Sequence, residues 1–319
     1  MELPNQAKFH PLKYLSKLSD VLHKNGVEIF EETLINKIDA NENGVIVTAE
    51  NENTITADYA VMATHITLGG PLLVQTELVP YNTYVICVEI QNKTLSENLY
   101  WDTNNPYNYI RVDKSENGNT ILILGGADHK TGEEINNADE KYNQLENYLR
   151  NILPDAKYKI LLKWSGQVIE SIDGLPYIGF LPEKKNTLIA TGFAGAGMTL
   201  GTISAQIITD LINQKENGLT NLYPVTRVKG VNNFIKKNSE VLKQYYRKYF
   251  GKFEKMDAYN LEPNQGKVCE QNGKKIAVYK SPDGKVTKLS AVCTHMECIV
   301  KLERRPKILG LPLATEVDS

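Results

Sequence analysis

Two clusters of residues in this 319-residue chain have the types and spacing to do chemistry. The first is Gly192-Phe193-Ala194-Gly195-Ala196-Gly197-Met198-Thr199-Leu200-Gly201. It follows an apolar run, Thr187 to Thr191, and leads into the recurrence of a buried helix from Thr199 to Ile212. Glycines without Cβ atoms let a backbone close on something flat or anionic. The helix N-terminus then aims free N–H groups and a positive dipole end at a bound electron-rich group. The second cluster is Cys293-Thr294-His295-Met296-Glu297-Cys298. Thiolate and imidazole in Cys-x-His-x-x-Cys suit half of a zinc site or of an iron–sulfur centre, and Cys269 is the thiol that could close a zinc site.

The elements that must position these groups alternate at first. Pro11 to Asn25 carries Leu12, Leu15, Leu18, Val21 and Leu22 at helical spacing, with proline in the first turn and Gly26 at the stop. Strands are expected at Val27–Glu31, Val45–Thr48 and Tyr59–Thr64, with an N-E-N-G turn at 41–44. This alternation indicates an α/β layer. From Val79 to Trp164 the pattern turns to β, with strands at 84–90, 107–112, 120–124 and 158–164 and a helix near Tyr142–Ile152. Antiparallel strands under one covering helix fit that pattern. Val231, Phe234, Ile235, Val241, Leu242, Tyr245 and Tyr249 mark a basic amphipathic linker helix. Beyond Met256 the chain is β-like again, at Lys267–Cys269, Lys275–Tyr279 and Val286–Leu289, with an S-P-D-G turn at 281–284.

With 41% hydrophobic residues the chain can build real cores, and a net charge of −2 gives no reason to expect nucleic acid. No run approaches the roughly 20 apolar residues needed to span a bilayer. The N-terminus has no signal-like basic and apolar regions, so the protein reads as soluble and cytoplasmic. Four cysteines, three of them near the C-terminus, do not form the framework of a secreted disulfide scaffold.

The motif G-L-P-Y-I-G at 174–179, followed by A-T-G-F-A-G-A-G-M-T at 190–199, resembles the C-terminal flavin-binding segment of FAD-dependent oxidoreductases of the glycine oxidase and D-amino acid oxidase (DAO) family. F-H-P-L-K-Y-L at 9–15, E-E-T-L-I at 31–35 and A-D-Y-A-V-M-A-T-H at 57–65 are similar to the same family piece by piece. The resemblance implies an α/β fold with a partial FAD-binding Rossmann-like domain at 1–77 and 169–225. It also implies an antiparallel-sheet substrate domain at 78–168 that roofs the flavin, and a linker at 226–258. Cofactor contacts are then expected from the main chain near Ile35, from Ala63 and Thr64, and from Gly179, Gly192, Gly195, Gly197, Met198 and Thr199. At His65 the family commonly has glycine. Tyr109, Arg111 and His129 are the polar residues expected near a substrate, where an arginine could pair bidentately with a carboxylate. The implied reaction is oxidation of a small-molecule amine or amino acid by hydride removal from the carbon bearing the nitrogen.

A dinucleotide-binding fold normally opens with strand, G-x-G-x-x-G and helix, and that fingerprint is absent from the sequence. Residue 1 is therefore expected to fall inside a domain, and the chain to bind FAD weakly or not at all until the phosphate-binding half is restored. Gly195→Val is expected to impair flavin binding by disfavouring special backbone angles and blocking approach to the ring.

Cys293-Thr294-His295-Met296-Glu297-Cys298 resembles the first ligand loop of a Rieske [2Fe–2S] domain, C-T-H-x-G-C, with Glu297 in place of glycine. The resemblance implies Cys293 and His295 as iron ligands, Cys298 as half of a disulfide, a partial all-β Rieske domain at 259–319, and a redox partner protein. A flavin domain fused to a Rieske domain is an arrangement of the family, and D-H-K-T-G at 128–132 fits that subgroup. The second loop, C-P-x-H-G, is absent, so the cluster is not expected to assemble. Codons can be chosen for Leu302–Ser319 that, with two single bases removed, spell W-D-C-P-C-H-G-S-R-F, and the tail reads as a frame-shifted form of that loop. Two other readings stand beside the oxidoreductase: a zinc-stabilised binding module, and an inactive partial product.

Overall fold

The computed structural model describes residues 2–3, 7–66, 74, 77–115, 117–131, 138–227, 261–263, 265–271 and 273–291. The chain is a mixed α/β protein. Its strands are β1 (Glu2–Leu3), β2 (Ile35–Asn41), β3 (Gly44–Ala49), β4 (Thr54–Ala57), β5 (Ala60–Met62), β6 (Leu78–Ile90), β7 (Leu99–Trp101), β8 (Tyr109–Lys114), β9 (Thr120–Lys130), β10 (Tyr158–Ser171), β11 (Tyr177–Leu181), β12 (Lys184–Thr191), β13 (Gln265–Gln271), β14 (Lys274–Lys280) and β15 (Val286–Ser290). Its helices are α1 (Pro11–Lys24), α2 (Ala138–Ile152) and α3 (Gly197–Ile212).

The largest sheet is antiparallel throughout, in the order β1-β7-β8-β9-β6-β10. Alternation along its strands sends Tyr84, Ile86, Val88 and Ile90 of β6, Ile110 and Val112 of β8, and Leu122 and Leu124 of β9 to one face. There they pack against Tyr142, Leu145 and Leu149, the apolar stripe of α2, all three nearly fully buried. Each of those three side chains contributes about 1.5–3 kcal/mol of burial energy. The expected helix over the antiparallel sheet is therefore present, one turn longer at its start.

A second sheet, β11-β12-β5, is mixed: β11 runs antiparallel to β12, and β5 runs parallel to it at the edge. Helix α3 covers it through Ile207 and Ile208 on Ile178, Leu188 and Ala190. The antiparallel sheet β2-β3-β4 lies beside it, tied by Lys184 Nζ to the Ile38 carbonyl at 3.2 Å and Asn186 Nδ2 to the Asn41 carbonyl at 3.1 Å. The N-E-N-G turn joins β2 to β3, with the Asn41 side chain accepting from the Asn43 N–H at 2.8 Å. Gly44 is required there, since a Cβ would stand 2.5 Å from the Ala57 carbonyl oxygen. The last three strands form an antiparallel meander, β13-β14-β15.

Val27–Glu31 is not a strand. Val27, Ile29 and Phe30 are exposed, Glu32 turns the chain at φ 50°, and the ladder begins only at Ile35, opposite Ala49. Apolar alternation without a neighbouring strand to complete its hydrogen bonds does not make a strand. Helix α1 has the predicted bounds, with proline in its first turn and the His10 side chain accepting from the Lys13 N–H at 3.3 Å. None of its residues is buried, although its apolar stripe is intact. The linker helix expected at 226–258 lies almost wholly outside the described residues.

Candidate active site

Ligands of α/β layers sit beyond the carboxyl ends of parallel strands. Here β5 and β12 are the parallel pair, and the turns that follow them, 63–66 and 191–196, are joined side by side. The Thr191 hydroxyl donates to the His65 carbonyl at 2.6 Å, and the Thr64 hydroxyl donates to the Ile66 carbonyl at 2.6 Å. The A-T-H and A-T-G motifs, read separately in the sequence, thus form one edge. Ala63 and Thr64 are exposed on it. His65 takes φ 64°, a left-handed conformation that costs a residue with a Cβ roughly 1–2 kcal/mol, so the turn keeps a glycine-like path without glycine. Burial lowers the His65 pKa, opposed by a hydrogen bond to the Gln167 backbone.

The second turn is held against β10. The Ala194 N–H donates to the Ile169 carbonyl at 2.9 Å, and Phe193 makes an isolated bridge with Glu170. Gly192, at φ 77°, is also packed: a Cβ there would meet Leu78 Cδ2 at 3.3 Å. Around Gly195 there is room among the described residues, since an added Cβ would have only the Tyr107 hydroxyl near, at 3.9 Å, and around Gly197 none of them within 4 Å. Gly195 is not among the residues with positive φ, so the expectation of special backbone angles there is corrected: its use is space alone. Residues 194–199 are exposed, and Ala196 caps α3 without any side-chain bond to its first N–H groups. These groups, with Met198 and Thr199 in the first turn, fit the electron-rich end of a flavin ring.

Behind the turn, Tyr177 and Gly179 of G-L-P-Y-I-G are buried in β11, Gly179 at φ 140°. The Tyr177 hydroxyl donates to buried Glu77, which with burial pushes the phenol well above its usual range. Arg227 completes the packing. It donates to both carboxylate oxygens of Asp173, at 2.7 and 3.0 Å, to the Leu175 carbonyl at 2.5 Å and to the Pro176 carbonyl at 2.8 Å.

The large sheet reaches this edge through Tyr107 and Tyr109, whose ring centroids are 6.3 Å apart and tilted by 47°. Burial first, then the charges of Asp128 and Glu170, push the Tyr107 hydroxyl up. Burial and the charges of Asp128 and Tyr107 do the same to Tyr109, against a hydrogen bond with Thr83. Both phenols therefore stay protonated at neutral pH. Tyr109 packs so closely over Gly125 that a Cβ there would stand 2.1 Å from its ring.

Of the three residues expected near a substrate, the structure places Tyr109 at this edge, Arg111 two residues along the same face with its buried Nε lacking a hydrogen-bond partner among the described residues, and His129 on the other face. Arg111 shares the sheet face of Tyr109, but its guanidinium lies 3.7 Å from Asp113, which is 3.4 Å from Lys8. His129 is on the opposite face, buried and stacked on Tyr84 with centroids 5.7 Å apart, under α2. Its neighbour Asp128, on the other side of the same strand, is the residue the sequence reading passed over. Tyr107 and Glu170 were likewise not singled out. Ile35 opens β2 in a different sheet. Cys293, His295 and Cys298 lie outside the described residues. Cys269 is a buried free thiol in β13, and among the described residues no group of three His, Cys, Asp or Glu could hold a metal.

Residues 1–211 match the family described as DAO, FAD dependent oxidoreductase. The Bacillus subtilis (strain 168) protein YhfW, named for a Rieske 2Fe-2S iron–sulfur protein, is 28% identical over 308 residues, covering 94% of this chain and 58% of its own length. The gamma-glutamylputrescine oxidoreductase of Escherichia coli (strain K12) is 25% identical over 214 residues, 64% of this chain and 47% of that protein. The crystal structure of glycine oxidase from Geobacillus kaustophilus superposes with a TM-score of 0.57 at 21% identity, covering 67% of this chain and 57% of that one. The fold is thus shared, and the chain spans roughly half of the length of the proteins it matches.

Proposed function

The chain belongs to the DAO family of FAD-dependent oxidoreductases, and from that premise we propose that it carries the ring-binding and substrate-facing parts of an enzyme that oxidises an amine or amino acid. One observation carries the reading: the Thr191 hydroxyl bonded to the His65 carbonyl brings both predicted cofactor turns together, with the Tyr107 hydroxyl beside Gly195 of the second. We assign 1–77 and 169–225 to the flavin layer, 78–168 to the substrate domain, 226–258 to a linker and 259–319 to a terminal Rieske-like module. A cytoplasmic location is part of the same proposal. Among the described residues no helix is long and apolar enough to cross a membrane.

A bound flavin would supply a two-electron acceptor for the hydride leaving the carbon next to nitrogen, which becomes an imine. The chain's own residues prepare that event. Gly195 and Gly197 leave the approach open, and the uncapped N-terminus of α3 offers N–H groups and a positive dipole end to negative charge. Tyr107, whose hydroxyl lies nearest Gly195, and Tyr109, whose ring packs against it, are both protonated and able to donate to a bound group. We place Tyr109 at the substrate, with Arg111, whose buried Nε has no hydrogen-bond partner among the described residues, two positions along the same face; His129, stacked on Tyr84, receives no such role.

A Rieske-type centre is the onward acceptor we propose, supported by Cys293-Thr294-His295 and by the name of the B. subtilis relative. Cys293 and His295 amount to half of the two Cys and two His that such a centre needs.

The test is flavin itself. The full chain, titrated with FAD and followed by the visible spectrum, is expected to show weak saturable binding that is lost on gel filtration. No binding by this chain and none by the chain with a phosphate-binding half restored would remove the ring site.

A further inference from the structure

We propose that Asp102 is a positioning residue for this site: its carboxylate fixes the turn between β7 and β8 so that the Tyr107 hydroxyl, as a donor, meets the ring bound at the glycine turn. The inference rests on the flavin reading above and deepens it by naming the donor and what holds it.

Tyr107 stands on a connecting turn, where a side chain keeps one place only if the backbone beneath it is pinned. Residues 102–108 join Trp101 of β7 to Tyr109 of β8, which are partners across the hairpin. Asp102 uses both carboxylate oxygens inside that turn. Oδ1 accepts from the backbone N–H of Asn104 at 3.1 Å and from that of Asn108 at 2.8 Å. Oδ2 accepts from the side-chain amides of the same two residues, each at 2.7 Å. The Asp102 N–H in turn donates to the Asn108 carbonyl at 3.0 Å. Asn108 directly follows Tyr107, so the phenol hangs from a fixed point.

An ionised carboxylate is the side chain that this turn requires. It accepts on both oxygens and donates nothing, whereas an amide would turn its own NH2 against the donors of Asn104 and Asn108. Burial opposes the charge, but the bonds from Asn108 and Asn104 outweigh it and hold the carboxyl below its ordinary range.

The turn is seated from two sides. Tyr148 of α2 bonds to the Asp102 side chain. On the β9 side the turn closes over Gly126, where a Cβ would stand 2.4 Å from Asn108 Oδ1 and 3.0 Å from the Tyr107 carbonyl oxygen. Fixed between α2 and β9, it brings the Tyr107 hydroxyl to 3.9 Å from the position of a Cβ on Gly195. Burial, with the charges of Asp128 and Glu170, keeps that hydroxyl protonated, and no hydrogen bond to a described residue acts on it. The phenol and the N–H groups at the start of α3 are then donors to one electron-rich ring, offered from two separate elements.

A double-substitution cycle on the full chain tests this, with FAD affinity read by quenching of flavin fluorescence and stability by urea unfolding. Tyr107→Phe and Asp102→Ala are each expected to weaken FAD about fivefold, the worth of one hydrogen bond. The double variant is expected to bind no more weakly than either single one, because Asp102 acts through the phenol. Its urea midpoint should still fall by the amount that Asp102→Ala alone causes. If Asp102→Ala does not fold, Asn108→Ala takes its place in the cycle. Unchanged FAD affinity in either single variant, or losses that multiply to about 25-fold in the double variant, would overturn the proposal and leave the flavin reading standing. A wild type that binds no FAD overturns it too, and the chain with its phosphate-binding half restored then shows whether the ring site falls with it.

Discussion

The guanidinium of Arg227 lies 3.9 Å above the ring centroid of Tyr177, and this contact joins the chain after α3 to the segment that supports the cofactor turn. Arg227 also bonds both oxygens of Asp173 and two backbone carbonyls of that segment. Its side chain is only 12% exposed, so these bonds are little screened. Arg227→Gln keeps some donors but loses the charge and the fork, so Asp173 loses its charged partner and keeps the bonds from the Ser171 hydroxyl and the Leu175 N–H. A loss of about 2–3 kcal/mol is expected in urea unfolding. A change below about 0.5 kcal/mol would show that the cluster does not hold the segment.

His65 gives a pH dependence whose sign can be worked out. Burial lowers its pKa in the fold below the ordinary 6.5, so between the two values the unfolded chain binds more protons. The contribution is fully present above pH 6.5 and is lost as pH falls through the folded value. The urea midpoint of the wild type should therefore decline below pH 6.5 more steeply than that of His65→Gln. Parallel profiles for the two proteins would exclude His65 as the group responsible.

Much of this arrangement was legible because it is local. The glycine turn, α3 and the strand before it follow from residues adjacent in sequence, and the structure extends the helix only from Thr199 back to Gly197. Helix α2 was readable from its stripe of Tyr142, Leu145 and Leu149. What depends on partners far away in sequence was not. Val27–Glu31 alternates like a strand but meets no neighbour, whereas Thr54–Ala57 is a strand because β3 pairs with it. His129 and Asp128 differ by one position and so by a whole sheet face, and only the register of β9 decides which of them turns toward the tyrosines. Histidine at 65 hid a left-handed turn, since glycine is the residue that usually announces one.

Gly125 is the position that fixes Tyr109. An added Cβ would stand 2.1 Å from the ring, so Gly125→Ala must displace it or bend β9. Overpacking of this kind costs about 1–3 kcal/mol. The same substitution at Gly166, where a Cβ would meet nothing within 4 Å, is the control. Urea unfolding should separate the two variants, and near-ultraviolet circular dichroism should change only for the first. Equal midpoints would mean that Tyr109 does not rest on Gly125.

Gly195→Val distinguishes a turn that needs glycine for its backbone from one that needs it for space. Gly195 is not in the left-handed region, and among the described residues the only neighbour near a new Cβ is the Tyr107 hydroxyl at 3.9 Å. The substitution should therefore move the urea midpoint little, by about 0.5 kcal/mol or less, as at an exposed position away from special features. A branched side chain would nonetheless project into the space between the turn and Tyr107, where the flavin ring is proposed to lie. Flavin affinity, read by quenching of FAD fluorescence, is expected to fall about tenfold, the loss of roughly 1.4 kcal/mol of contact. Unchanged affinity with an unchanged midpoint would place the ring away from this turn. A large loss of stability would instead return the glycine to a backbone role.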